Sequence, residues 1–460
     1  MTIVPPRPTR ESVTTINEDG SRRFIHPAST KGRFTRWRAI TAIALTSLYV
    51  ALPWIQINGN PALFLDVAHR QFHYFGLTFL GQDVWIMFFV LSGLGFCLFY
   101  VTALLGRVWC GWACPQTVIL DIARRIDRWC EGDATARRNL DRAPATFSKM
   151  ARRSAKHLLY LAFVLVLTHV FLSYFVSLPR LYTMMTHAPG DNWGAFVFVF
   201  LLSAALWFDL AWFREQFCIV LCPYGRLQSA LIDSDSLIVG YDAKRGEPRG
   251  RKGTEGAGDC VDCLRCVQVC PTGIDIRQGL QMECIGCTAC IDACDAVMEK
   301  VKRPKGLIRY DSSRGFAGQR TRWIRPRTLL YTGLALLGAA ALTAATSTLK
   351  SANLGVTRVT GIPYVVEAGV VRNQFLIRIQ NKRNVPRTFR VEVADGPPHL
   401  QWTGVEEAVT VRPLGEEART VVVTLPRVDL KAELPLRIRI LSDDGATIEK
   451  SITFLGPDIP

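Results

Sequence analysis

The chain has 460 residues, 49 % of them hydrophobic and 20 % charged, with a formal net charge of +16. In sum this composition is ordinary, but the charge is concentrated between long apolar runs. That placement excludes nucleic acid as the natural partner of the basic surplus and favours anionic lipid headgroups.

Residues 1–36, rich in Arg, Pro, Ser and Thr, read as a disordered basic cytoplasmic arm, and no secretory leader is recognisable at the start. Five apolar stretches follow that are long enough to cross a bilayer as helices: 39–57, 84–106, 158–178, 193–213 and 328–346. Asp209 is the only formal charge inside them. The first four, with their connections, form a membrane domain over 37–226. In the outer loop after the first stretch, His69 and His73 stand at i and i+4, which suits an interfacial amphipathic turn better than a metal site. His169 lies deep in the third stretch, but a haem held by two helical histidines needs a second deep one, and His157 is at the edge. A hydrogen-bonded packing role is therefore expected for His169, and Cys97 and Cys130 are read as structural.

The second stretch runs into Arg107-Val-Trp-Cys110-Gly-Trp-Ala-Cys114-Pro115, and the fourth into Glu215-Gln-Phe-Cys218-Ile-Val-Leu-Cys222-Pro223. An offset of 108 residues superposes both cysteines, the proline and an aromatic, Trp109 or Phe217. Two hairpins that start on the same side make this a parallel repeat about an axis along the membrane normal. The four cysteines should then meet near that axis at the cytoplasmic boundary, each pair at i and i+4 on one helical face, with proline ending or kinking the helix. Four soft sulfurs suit Cu(I) or an iron–sulfur species over hard cations, or redox dithiol chemistry. Arg107 and Arg226 are neighbouring charges that favour thiolate.

Residues 227–327 carry Cys260-x2-Cys263-x2-Cys266-x3-Cys270-Pro271 and Cys284-x2-Cys287-x2-Cys290-x3-Cys294. This is the ligand run of a ferredoxin with two [4Fe–4S] clusters, in which the fourth cysteine of each run serves the other cluster. The assignment is Cys260, Cys263, Cys266 and Cys294 to one cluster, and Cys284, Cys287, Cys290 and Cys270 to the second. Zinc would call for longer spacing and often histidine, which this region lacks. Disulfides would need an oxidising compartment.

Beyond the fifth stretch, 328–346, residues 347–460 alternate short β-rich runs with turn signals: Gln374–Gln380, Phe389–Val393, Ala408–Val411, Thr420–Leu425, Leu436–Leu441 and Thr447–Phe454. They predict an immunoglobulin-like sandwich that binds a partner or braces an assembly. The fold class is thus a multi-pass α-helical membrane protein of five transmembrane helices, with a cytoplasmic two-[4Fe–4S] ferredoxin-like domain and a C-terminal all-β sandwich. Lys and Arg number seven in 1–36, eleven in 107–157 and nineteen in 214–327, against one each in loops 58–83 (Arg70) and 179–192 (Arg180). The positive-inside rule puts the N-terminus and the ferredoxin in the cytoplasm of a bacterial inner membrane and the sandwich in the periplasm.

Together these features resemble the cytochrome oxidase accessory proteins called CcoG, FixG or RdxA, over nearly the whole chain. The resemblance implies a cupric reductase that converts Cu(II) to Cu(I) on the cytoplasmic side for assembly of the cbb-type haem–copper oxidase. Cys110, Cys114, Cys218 and Cys222 match the family's membrane-edge pairs and the eight ferredoxin cysteines its cluster ligands. Asp295 departs from common ferredoxin patterning, where proline frequently follows the last cysteine. The implied partners are the lipid bilayer, copper ions, an unidentified cytoplasmic electron donor, and copper-delivery proteins or oxidase assembly factors; a homodimer stays open. Two rivals share many of these features: a quinol dehydrogenase-type membrane ferredoxin feeding another reductase, and a non-enzymatic assembly scaffold.

Overall fold

A computed structural model describes residues 15–457 apart from 18, 20, 252, 348–350, 431 and 432. Residues 1–14 of the expected disordered arm lie outside it. The chain divides into two compact units, one of residues 1–54 and 88–341, the other of residues 55–87 and 342–460.

Four helices of the described chain are long and apolar enough to cross a membrane: Trp85–Leu105, Phe147–Leu172, Pro189–Phe213 and Pro326–Ser347. The first expected stretch, 39–57, differs. Its helix is Arg33–Ala51, which opens with Arg33, Arg36 and Arg38 and ends where the chain turns at Leu52. The uncharged part from Ala39 to Ala51 is about 20 Å long at 1.5 Å per residue, short of a ~30 Å hydrocarbon core.

In the first unit the helices Pro115–Glu131 and Phe147–Leu172 pack through Leu120, Ala123, Tyr160 and Val164, with Leu210 from the end of the fourth span. A buried ion network lies beside this core. Asp127 takes Arg214 at 2.6 Å and Arg137 at 2.9 Å, and Glu215 takes Arg124 at 2.7 Å and Arg22 at 3.5 Å. Burial pushes the Glu215 carboxyl up, but Arg124 and Arg214 outweigh it and hold it below the usual range. Arg22 comes from the arm, so the described residues from Thr15 onward are not the loose segment their composition suggested. Ala28 N–H donates to Gln268, and Phe34 and Thr35 N–H donate to Asp292. Composition misled because each of these polar groups has a specific partner far along the chain, Glu215 and Asp292 among them buried. Glu215→Gln is expected to leave Arg22 without its counter-charge and Arg124 with Asp121 alone, a loss of about 3–5 kcal/mol. It should appear as a lower Tm of the detergent-purified chain; an unchanged Tm would show the network to be dispensable.

The second unit is a two-sheet sandwich. One sheet orders Gln401–Thr403, Glu416–Pro426, Val370–Asn381 and Ala352–Arg358, with Val365–Glu367 also on Val370–Asn381; the other orders Val409–Val411, Arg387–Asp395, Glu433–Ser442 and Thr447–Leu455. Alternate residues Val371, Phe375, Ile377 and Ile379 face Phe389, Val391, Ile438 and Ile440 in one core, the period-2 pattern of half-buried strands. Five of the six expected runs lie within these strands, and the sixth, Ala408–Val411, begins one residue before its strand Val409–Val411. Residues 55–87 are an antiparallel meander, Leu63–Asp66, Gln71–Tyr74 and Leu77–Leu80. The meander meets the sandwich through Lys382 Nζ to Asp83 Oδ2 at 2.7 Å, Gln71 Nε2 to the Leu414 carbonyl and Asn60 Nδ2 to Asn384 Oδ1. The interfacial helical turn expected around His69 and His73 is therefore replaced by strand and turn. His73 is buried on Phe64 and bonded to Thr78, while His69 bonds Asp66.

Candidate iron–sulfur and thiol site

The ferredoxin segment repeats at an offset of 24 residues, and its local geometry repeats with it. In each copy the second cysteine is flanked by two residues in the left-handed region: Asp262 (φ 55°) and Leu264 (φ 56°) about Cys263, Gly286 (φ 68°) and Thr288 (φ 62°) about Cys287. Three of these four are not glycine. Such conformations cost about 1–3 kcal/mol each and persist where the surroundings over-determine them. The segment is closed by Leu237–Tyr241 pairing antiparallel with Ile308–Ser312.

Electrostatic interactions among the thiols group the eight cysteines in two fours. Cys294 interacts with Cys266, Cys260 and Cys263. Cys284 interacts with Cys270 and Cys287, and Cys290 with Cys287, Cys284 and Cys270, then Cys266. The last cysteine of each run has thus crossed to the other. Burial pushes Cys266 up to about 11 and Cys284 and Cys294 up to about 12. At neutral pH such sulfurs carry charge only beside a cation. All fourteen cysteines are free of disulfides. Among the described residues no three His, Cys, Asp or Glu groups converge closely enough for a single metal ion. The second four, with Cys266 of the first, instead line a small apolar cavity with Ile274, Ile276 and Ile285. Sulfur donors arranged around a space, not a point, fit a cubane, and the eight cysteines would hold two such clusters, four to each.

The two Cys-x3-Cys-Pro copies also fold alike, but not as expected. Each is a single wide turn closed by an i→i+5 bond, Cys114 N–H to Trp109 at 2.9 Å and Cys222 N–H to Phe217 at 2.8 Å. The second cysteine of each copy is extended (ψ 127° and 112°), and the proline begins a new helix, Pro115–Glu131 or Pro223–Leu231. The pairs are therefore not on one α-helical face, because proline's fixed φ and missing N–H suit the first helical position better than a last turn. Wide turns of this kind recur at functional sites.

The four membrane-edge cysteines lie within electrostatic reach of one another: Cys110 with Cys114 and Cys222, and Cys218 with Cys114, Cys110 and Cys222. Burial and Cys114 push Cys110 up to about 11 against Arg107, and burial with the other three thiols pushes Cys218 up to about 12. Arg107 therefore opposes burial without overcoming it. Arg226 is spent on the Val220 carbonyl. A soft cation entering here must displace thiol protons, so its binding strengthens as pH rises.

This thiol group abuts the second ferredoxin four. A Cβ on Gly111 would lie 2.4 Å from the Gly286 carbonyl oxygen, and Arg107 donates to the carbonyls of Met282, Cys284 and Gly225. Trp112 Nε1 donates to Tyr310 Oη, which donates to the Gly286 carbonyl. Cys110 Sγ donates to Gln228 Oε1 at 3.3 Å, on a fully buried glutamine. Sequence reasoning passed over Gly111 and Gln228. The signal for Gly111 was present: the second copy has Ile219 at that position, so the first copy alone needs a bare backbone. Asp209 accepts from Gln116 Nε2 at 2.8 Å, His169 bonds the Leu165 carbonyl and His157 packs on Trp207, apart from these thiols.

Family models match three parts of the chain: a 4Fe–4S dicluster domain over residues 213–313, a 4Fe–4S binding domain over 73–132, and the IG-like fold at the C-terminal of FixG over 342–457. Nitrogen fixation protein FixG of Rhizobium meliloti is 32 % identical, over 94 % of this chain and 92 % of its own. Protein RdxA of Cereibacter sphaeroides is 34 % identical, over 88 % and 93 %. Protein RdxB of the same organism is 35 % identical, over 81 % and 82 %.

Proposed function

The chain belongs to the FixG/RdxA family, and on that footing we propose that it is a cupric reductase serving assembly of a cbb-type cytochrome c oxidase. It is a membrane iron–sulfur electron-transfer protein; the copper substrate and the oxidase are this reading's own content. The eight ferredoxin cysteines would hold two [4Fe–4S] clusters, which would supply single-electron chemistry there. The observation that carries the reading is the backbone contact between Gly111 and Gly286, which sets the turn that carries Cys110 and Cys114 against the Cys284–Cys287 turn. Cys110, Cys114, Cys218 and Cys222 would receive Cu(II). Thiolates prefer Cu(I) to the tetragonal N/O-seeking Cu(II), so the site favours Cu²⁺ + e⁻ → Cu⁺.

The reading includes five crossings, with Arg33–Ala51 as the first; a helix this short would be accommodated by local thinning of the bilayer and by its flanking arginines snorkelling to the interface. Residues 55–87 and the sandwich lie in one unit, and the four apolar helices between them make an even number of crossings. The arm contacts Glu215 and Asp292, so Arg33–Ala51 would lead from the ferredoxin side to the other. The positive-inside rule makes the ferredoxin side cytoplasmic.

The test uses full-length protein, reduced anaerobically, with Cu(II) and a Cu(I)-specific chelator. One captured Cu(I) per electron leaving the clusters is the expected stoichiometry. Clusters that stay reduced with Cu(II) but bleach with a soluble quinone would support the quinol dehydrogenase-type alternative.

A further inference from the structure

A second, positively charged site lies in the first unit, against the outer wall of the second cysteine four. A cavity of 140 Å³ is lined by Arg38, Arg124, Arg125, Arg128 and Arg137, with Asp121 the only carboxylate on its wall. Asp121 is already shared between Arg38 and Arg124, the latter at 2.7 Å. Arg137 and Arg124 direct part of their guanidinium to Asp127 and Glu215. Arg125 and Arg128 have no acidic partner among the described residues. The Nε groups of Arg38 and Arg124 are buried with no hydrogen-bond acceptor among the described residues, while Arg137, 3 % exposed, sets its Nε 3.5 Å from Glu131 Oε2. Burial and the nearby Arg125 push the Arg128 guanidinium down; Asp121 opposes them, and Arg124 and Arg137 add to the downward effect.

Five guanidinium groups around one carboxylate form an arrangement that ordinary surface solvation does not require. Long arginines repel one another unless an anion or acid stands between them. The fork of a guanidinium matches tetrahedral oxyanions bidentately. Ser29 and Thr30 add hydroxyl groups to the same wall. The volume takes one small anionic group.

We propose that this cavity binds a phosphoryl oxyanion, supplied either by the headgroup of an anionic phospholipid or by free phosphate. Arg38 reaches from the cavity to the Cys287 carbonyl, so the bound anion is felt at the second cysteine set. The site stands independently of the copper reading, since neither its residues nor its ligand takes part in copper reduction.

The test uses full-length protein in detergent, comparing wild type with Arg125→Gln/Arg128→Gln. Both side chains are at the cavity's open face, so unchanged iron content and elution should report an intact fold. A matched control, Arg152→Gln/Arg320→Gln, removes the same charge elsewhere. One arm measures binding of inorganic phosphate by equilibrium dialysis. The other reconstitutes the protein in nanodiscs of phosphatidylglycerol and phosphatidylcholine and identifies the lipid retained on extraction. The double variant is expected to weaken its anion roughly tenfold or more, the loss of charge-assisted hydrogen bonds, with the control unaffected. Loss of phosphate binding supports a soluble source, and selective loss of retained phosphatidylglycerol supports a lipid source. Equal behaviour of wild type, double variant and control in both arms overturns the proposal.

Discussion

Serine at Cys270 is expected to lower iron from about eight to about four atoms per chain, and to remove the same cluster as serine at Cys287. Cys270 follows Cys266 in the chain by one short helix, Arg265–Gln268, yet interacts with Cys287 and Cys284. The pairwise variants make the distinction. Cys270→Ser/Cys287→Ser should retain about as much iron as either single variant, whereas Cys270→Ser/Cys263→Ser should retain almost none. The opposite pattern would assign Cys270 to the first cluster. Because ligation free energy is also folding free energy, each loss should loosen the segment around Ile274, Ile276 and Ile291, which packs with these cysteines.

Gly111→Val is expected to separate transfer from storage. Its Cβ would fall 2.4 Å from the Gly286 carbonyl oxygen and 2.9 Å from that of Ile285, both rigid backbone atoms. Overpacking of this kind costs about 1–3 kcal/mol and must move one segment off the other. Iron content should stay near wild type, while reoxidation of reduced clusters by Cu(II) should slow on the order of 100-fold, the scale of a misplacement near 1 Å. Reoxidation by ferricyanide, which needs no docking at the membrane-edge thiols, should change little. Equal slowing with both oxidants would show that the substitution damages the clusters and not the contact.

Cysteine spacing made the clusters legible from sequence alone, because ligand geometry dictates spacing directly. The expected crossover of Cys270 and Cys294 rests on the same spacing, and the pairwise serine variants test it. The sandwich strands were legible through alternation, as in Val371, Phe375, Ile377 and Ile379. Three short edge elements, Ala352–Arg358, Val365–Glu367 and Gln401–Thr403, were not, since they carry few buried residues in alternation. The meander at 55–87 was misread for a different reason: its residues are held by partners such as Lys382 and Leu414, 299 and 343 residues away in the chain. The order of the arm beyond Thr15 was hidden likewise, in ion pairs with Glu215 and hydrogen bonds to Asp292. The wide turns at Cys110–Cys114 and Cys218–Cys222 show a local limit. An i, i+4 pair implies one helical face only while the chain stays α-helical, and a following proline already argued against that at the second cysteine.

The most direct measurement is single-turnover reoxidation of the reduced clusters by Cu(II), for wild type and for Cys110→Ser, Cys114→Ser, Cys218→Ser and Cys222→Ser. If these four sulfurs receive copper, each variant should retain its full iron content and reoxidise more slowly, on the order of 10–100-fold, the loss typical of weakened metal coordination. Four variants that reoxidise at the wild-type rate with full iron content would contradict the account and place the electron exit elsewhere on the ferredoxin.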